Sequence, residues 1–177
     1  VTWQHPAGVI TENTIAELEQ KIDTQPWAKK TYKSRKQGLT PWLNLSSEEL
    51  HAIFPKRGGN VYHNYSCPDD RVRLTFDRFN SSSFTCSVCK KEFSPETDAE
   101  IYKTDHPYHG TMYDGWICLF HLTASQHTLD MALISRMEDD AIMRDRAVEL
   151  LMLYAEILPT LPLRESPNVS PDAPTFR

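Results

Sequence analysis

What this 177-residue chain lacks narrows its class before any motif is read. It has no surplus of positive charge: 19 Lys and Arg stand against 24 Asp and Glu, a formal net charge of -5. A nucleic-acid binder working through bulk charge is therefore disfavoured. It has no run approaching the roughly 20 apolar residues that cross a bilayer, which excludes a transmembrane helix. No Ser-His-Asp order, phosphate loop or HExxH motif occurs, and no internal repeat recurs at solenoid spacing. Cysteine is scarce, with four in all, and three of these crowd into residues 67 to 89.

What is present is enough for a real core, because a chain of this length buries roughly two thirds of its unfolded surface. The charge is uneven. Residues 1 to 110 hold 14 basic and 14 acidic side chains, and residues 111 to 177 hold 5 and 10, so a polyanion meets the first part more easily. The chain opens on Val1 without a charged-then-apolar leader, which fits a mature chain freed of a signal peptide or a trimmed one. The expected location is secreted or periplasmic. The triplets at Asn44, Asn64, Asn80 and Asn168 match the glycan acceptor pattern but carry no weight, since such patterns arise by chance.

The periodicity predicts a mainly α protein. Thr14 with Glu17 three residues on predicts a helix start, with Ile15, Leu18 and Ile22 on its apolar face. A second helix is expected from Pro26 and Trp27 through Tyr32 toward Gly38, its exposed face reading KKTYKSRK. Such a basic run is more often a solvated helix face than a polyanion contact. Ser46 with Glu49 predicts a third, short helix carrying Leu50, Ile53 and Phe54. RVRLTFD alternates charged and apolar residues as a half-buried strand does, and SFTC and KEF read as its partners. From Met112 two long helices follow, joined by a short polar loop in which Asp139 or Asp140 caps the second. In that second helix Ile142, Val148, Leu151, Met152, Ala155 and Leu158 form the expected apolar stripe, to be covered by helices outside residues 1 to 177. Residues 159 to 177 hold five prolines and read as a linker or tail.

Cys86-x2-Cys89 has the spacing with which a tight turn grips one zinc ion, and Cys67 returns to it across the hairpin of residues 60 to 94. Three thiolates leave a tetrahedral site one donor short. His63 is the best-placed fourth ligand, with His106, His109 and Cys118 as rivals. The expectation is a structural zinc on His63, Cys67, Cys86 and Cys89. Reduced half-buried thiols and a disulfide from Cys67 are the alternatives, and a redox-active pair lacks the βαβ setting it needs. Asp69-Asp70 and Asp139-Asp140 are read as turn and cap residues.

TDHPYHGTMYDGW gathers His106, Tyr108, His109, Tyr113, Asp114 and Trp116 ahead of the long helix. Imidazole and phenol suit proton abstraction beside a carbonyl, and aromatic faces suit a sugar ring. The plainer reading packs Tyr113 and Trp116 in the core and leaves the histidines as caps. His121 and His127 read as hydrogen-bonded core or interface histidines.

HPAGVITENTIAELEQKIDTQPWAKKTY resembles the opening segment of heparinase II/III-type polysaccharide lyases. YSCPDDRVRLTFDRFNSSSFTCSVCKKEFS is similar to their Tyr-x-Cys-Pro hairpin, and ICLFHLTASQHTLDMALI followed by DRAVELLMLYAEILPTLP to the helical pair after it. The resemblance spans about residues 5 to 163 and is nearest to the oligoalginate-lyase and exolytic heparin-lyase branch. It departs at Lys90, where Gly is usual, and in the SRMEDD loop. It implies the N-terminal part, residues 1 to 158, of an incomplete (α/α) toroid with a small zinc-ribbon-like β-hairpin insertion at residues 60 to 94. It also implies β-elimination on a uronic-acid polysaccharide, of the glycosaminoglycan or alginate type, with the Tyr and His that act as base and acid outside this chain. The remaining catalytic part is then a partner, as a second chain or a further segment, and these 177 residues alone are expected to be inactive. In that setting Tyr108, His109, Tyr113 and Trp116 are the candidate substrate-binding residues. A non-catalytic zinc-stapled helical module binding carbohydrate or protein is the alternative. A zinc-ribbon nucleic-acid protein is disfavoured by the acidic balance and the absence of an RNA-stacking sheet motif.

Overall fold

Thr11 starts the first helix, α1 (Glu12–Thr24), in the computed structural model, which describes residues 10–56, 65–94 and 112–160. The Thr11 hydroxyl accepts the Thr14 amide at 3.2 Å, and the Thr14 hydroxyl accepts the Thr11 amide at 2.6 Å. This reciprocal capping box lies one turn earlier than the Thr14 and Glu17 pair expected from the sequence. Helix α2 (Pro26–Leu43) takes Pro26 in its first turn, as expected, but runs on through Gly38 and Pro41. An interior proline costs about 3 kcal/mol. Leu39 and Trp42, both fully buried, each recover about 2–3 kcal/mol by lying in that last turn. Helix α3 (Ser47–Ile53) follows, with Glu48 and Glu49 in its first turn, where the helix dipole favours them.

The hairpin segment holds little regular structure. Strands β1 (Phe84–Thr85) and β2 (Glu92–Phe93) pair antiparallel, with Phe84 opposite Phe93. The expected strand RVRLTFD is joined only through isolated bridges, Ser66 with Arg73 and Thr75 with Thr85. Its alternation persists: Leu74 is buried and Val72 and Phe76 half-buried, while Arg71, Arg73, Thr75 and Asp77 are exposed.

Helices α4 (Met112–Glu138) and α5 (Ala141–Ile157) are the expected long pair, and a single 3-10 turn, Leu158–Thr160, follows them. Asp139 takes a left-handed φ of 52°, and the Asp140 amide closes back on the Ser135 carbonyl at 3.1 Å. This ends α4 as a left-handed cap does. The Asp140 carboxylate then accepts the Met143 amide at 3.0 Å and starts α5. The stripe expected on α5 is uncovered in this chain, and a second apolar side is the one buried within it. Met143, Ala147, Leu150 and Leu153 are the buried residues, whereas Ile142, Val148, Leu151, Met152, Ala155 and Leu158 are exposed. The helix is apolar on two sides, so periodicity alone could not say which is covered.

The chain forms two compact units, one of residues up to Ser46 with Gln126–Leu151, the other of Ser47–Ser125 with Met152 onward. The first centres on Leu39, Trp42, Met131 and Leu150. Its surface carries ion pairs from α2, Arg35 to Asp130 and Lys36 to Glu138, the latter also receiving the Tyr32 hydroxyl. In the second, Phe54 meets Phe120, His121 and Tyr154 edge-on at 5.5, 5.6 and 5.0 Å. The His121 Nδ1 lies 3.0 Å from the Tyr154 hydroxyl, whose pKa burial pushes up to about 12. The start of α4 presses on the hairpin segment at Gly115, where a Cβ would sit 2.9 Å from the Tyr65 backbone nitrogen. Among the described residues no helix is long and apolar enough to cross a membrane.

Candidate metal centre

Cys67 and Cys86 each open a tight turn, and the two turns are built alike. The Arg71 amide bonds to the Cys67 carbonyl at 2.9 Å, and the Lys90 amide to the Cys86 carbonyl at 3.1 Å. The Cys67 amide bonds to the Val72 carbonyl at 2.8 Å, and the Cys86 amide to the Lys91 carbonyl at 2.9 Å. Both turns also pass through a left-handed residue at the same place, Arg71 with φ 55° and Lys90 with φ 63°. That conformation is the physical reason glycine suits the position after the second cysteine, and here lysine and arginine bear its strain. Residue by residue, Cys67 matches Cys86 and Asp70 matches Cys89. The fourth corner of a two-turn metal site is thus filled by a carboxylate.

The donor atoms of Cys67, Asp70, Cys86 and Cys89 all lie within 4.8 Å of one another. The Cys67 and Cys89 sulfurs are 3.8 Å apart, and an Asp70 oxygen lies 3.5 Å from the Cys67 sulfur and 3.3 Å from the Cys86 sulfur. A zinc ion with sulfur at about 2.3 Å and oxygen at about 2.0 Å has tetrahedral edges of roughly 3.8 Å between sulfurs and roughly 3.5 Å between sulfur and oxygen. Three of the cluster's six edges have about these dimensions, and the others lie within 4.8 Å. Cys67 and Cys86 are buried, Asp70 is half-buried and Cys89 is exposed. The Val88 amide points at the Cys86 sulfur at 3.4 Å, as backbone amides do around a bound thiolate.

Protonation within the cluster is shared. Hydrogen bonds from Cys89, then Cys86, hold the Asp70 carboxyl below its ordinary value, and in return the Asp70 carboxylate is the main group that pushes the Cys89 thiol up to about 12. A metal entering here displaces the Cys89 thiol proton. Asp69, beside Asp70, forms an ion pair with Lys91 across the two turns. All four cysteines are free thiols.

Three of the four expected ligands, Cys67, Cys86 and Cys89, come together, and His63 lies outside the described residues, as do the rivals His106 and His109. Cys118 sits in α4 and is not a member of the cluster. Asp70, expected as a turn residue, keeps that place and also lies among the donors that could hold a metal. Its signal was legible in the sequence as a doubled pattern, Cys-Pro-Asp-Asp-Arg beside Cys-Ser-Val-Cys-Lys.

Of the candidate sugar-binding residues, Tyr108 and His109 lie outside the described residues. Trp116 packs in the core of its unit at 2% exposure, its indole N–H donating to the Asp77 carbonyl at 2.7 Å. Tyr113 is half-buried and stacks on Trp116 with centroids 6.0 Å apart. A different tryptophan is exposed: Trp27, at the start of α2, beside a shallow groove of about 680 Å³ that also touches Lys30, Ser34, Arg35, Gln126 and Asp130. Compared with known proteins, the chain matches no family model, no curated protein and no solved structure.

Proposed function

We propose that this chain is the N-terminal part of a polysaccharide lyase acting on uronic-acid polymers of the glycosaminoglycan or alginate type. It works in a secreted or periplasmic setting, with base and acid supplied outside residues 1 to 177. In this reading the Cys67, Asp70, Cys86 and Cys89 cluster holds one structural zinc that fixes the hairpin, and takes no part in bond cleavage. The observation that carries the reading is α5, apolar on a buried side and again on an exposed one. A helix in a ring of helical hairpins packs neighbours on both sides, and a helix at the outside of a finished bundle does not. The resemblance of the opening segment, the hairpin and the helical pair to heparinase II/III-type lyases supplies the chemistry. A proton leaves the carbon next to the uronate carboxylate, the glycosidic oxygen departs with the bonding pair, and a 4,5-double bond remains.

That double bond absorbs in the ultraviolet, and this makes the test direct. A protein carrying these residues together with the catalytic part should generate absorbing products from alginate or heparin, and the 177-residue chain alone should not. Turnover by the 177-residue chain alone would place the acid and base within it. No turnover of any uronide by the complete protein would leave the second reading, a non-catalytic metal-stapled helical module binding carbohydrate or protein. What favours that second reading is the cluster, whose four donors would close a tetrahedral site with no open position for a substrate.

A further inference from the structure

The geometry points to a docking groove for an anionic polysaccharide, a polyuronate, along α2, with Trp27 as its stacking face and Lys29, Lys30 and Lys33 as its charge. The choice of uronate rests on the reading above, but binding is measured without turnover. Between Pro26 and Leu43 there are five basic side chains and no acidic one. Two of them are committed, Arg35 to Asp130 and Lys36 to Glu138. Lys29, Lys30 and Lys33 are exposed and make no ion pair among the described residues. Three ammonium groups thus stay uncompensated on a chain whose overall charge is negative.

A lone exposed aromatic marks nothing by itself. Trp27 is not alone: it is 65% exposed, where Trp42 and Trp116 are at 0% and 2%, and it borders the groove that Lys30, Ser34 and Arg35 also line. Residues 27, 30 and 34 follow helical spacing along one stripe, and Lys29 and Lys33 follow the adjoining stripe beside a second shallow groove. Lysines four apart rise about 6 Å along a helix. A linear chain with one carboxylate on every ring can meet such charges in succession while a ring's C–H face lies on the indole. The groove's own carboxylate does not repel it. Asp130 receives Arg35 Nη1 at 2.7 and 3.1 Å and the Gln126 amide at 3.2 Å. The half-exposed Arg35 guanidinium keeps further N–H groups for a ligand.

Calorimetric titration of the 177-residue chain with an alginate oligosaccharide, and separately with a heparin oligosaccharide, tests this, using a neutral cello-oligosaccharide and single-stranded DNA as comparators. The expected result is salt-sensitive binding of at least one uronate probe and none of the neutral one. The double variant Lys30→Gln with Lys33→Gln, and Trp27→Ala, should each weaken it about tenfold. All of these side chains are exposed, so melting temperature and zinc content should stay unchanged. No uronate binding, or equal binding in the variants, would overturn the groove even if the complete enzyme proves to be a lyase. Tighter binding of DNA would overturn it in favour of a nucleic-acid contact. Failure of turnover in the complete protein leaves a measured groove affinity standing, so the two readings fail separately.

Discussion

Residues 65 to 94 and the unit built on α1 and α2 keep their shape by different means. The first has two strands of two residues each, isolated bridges, and a thiol and carboxylate cluster at its centre. The second has long helices, a fully buried tryptophan and leucine, and ion pairs on its surface. So little regular structure forms no sheet stable on its own. An ion bonded to four side chains can supply what the backbone ladder does not, and structural zinc contributes on the order of 10 kcal/mol in small sites. The contrast is between a region centred on a cluster that could hold an ion and one held by burial and surface ion pairs.

The strongest way to break this contrast is to remove the zinc proposed at the cluster. Stripping zinc with a chelator, or replacing Cys86 by Ser, should cost the hairpin several kcal/mol. Hydrogen exchange should show amide protection in residues 65 to 94 falling about a hundredfold or more, with α2 unaffected. Equal loss in α2 would mean that one ion holds both regions. The reverse test is Trp42→Ala, which should cost about 3–5 kcal/mol and lower the melting temperature while one zinc per chain is retained. Loss of zinc in that variant would show the regions to be interdependent. Smaller is the effect of Asp140→Ala, which removes the cap on α5 and should cost about 1 kcal/mol in denaturant unfolding, most of it restored by Asp140→Asn.

The smallest effect is a pH slope. Lys36 first, then Tyr32, holds the Glu138 carboxyl below its ordinary value of 4.5. A carboxylate with a lowered folded pKa stabilises the fold above its unfolded value, and the contribution is lost as pH falls from 4.5 through the folded value. Melting curves of Glu138→Gln should therefore fall less steeply than the parent's across that window. Parallel curves would show that the surface pair adds nothing.

Much of the helical part was legible. Length and apolar content predict α4 and α5, and the Asp139-Asp140 turn between them carries the expected cap. The end of α2 was not, because Gly38 and Pro41 are local stop signals and the burial of Leu39 and Trp42 that overrides them is tertiary. On α5 the side buried within this chain, Met143, Ala147, Leu150 and Leu153, is not singled out by the sequence, because a helix apolar on two sides has no periodicity that selects one. At the metal centre the thiols were found by their softness and spacing. Asp70 takes the Cys89 place in the doubled pattern, but an aspartate in a turn already has a sufficient local explanation, so residue type alone does not single it out.

Cys89 is the one thiol of the cluster open to solvent, while Cys67 and Cys86 are covered. An oxidant or alkylating agent arriving from water therefore reaches this sulfur first. A sulfenic acid formed there has the Cys67 sulfur 3.8 Å away as its resolving partner, so one two-electron oxidation can join the two turns covalently and remove two of the four candidate donors. Storage history then becomes part of this protein's chemistry: a preparation aged in air can be correctly folded elsewhere and yet carry a crosslink across the candidate metal site.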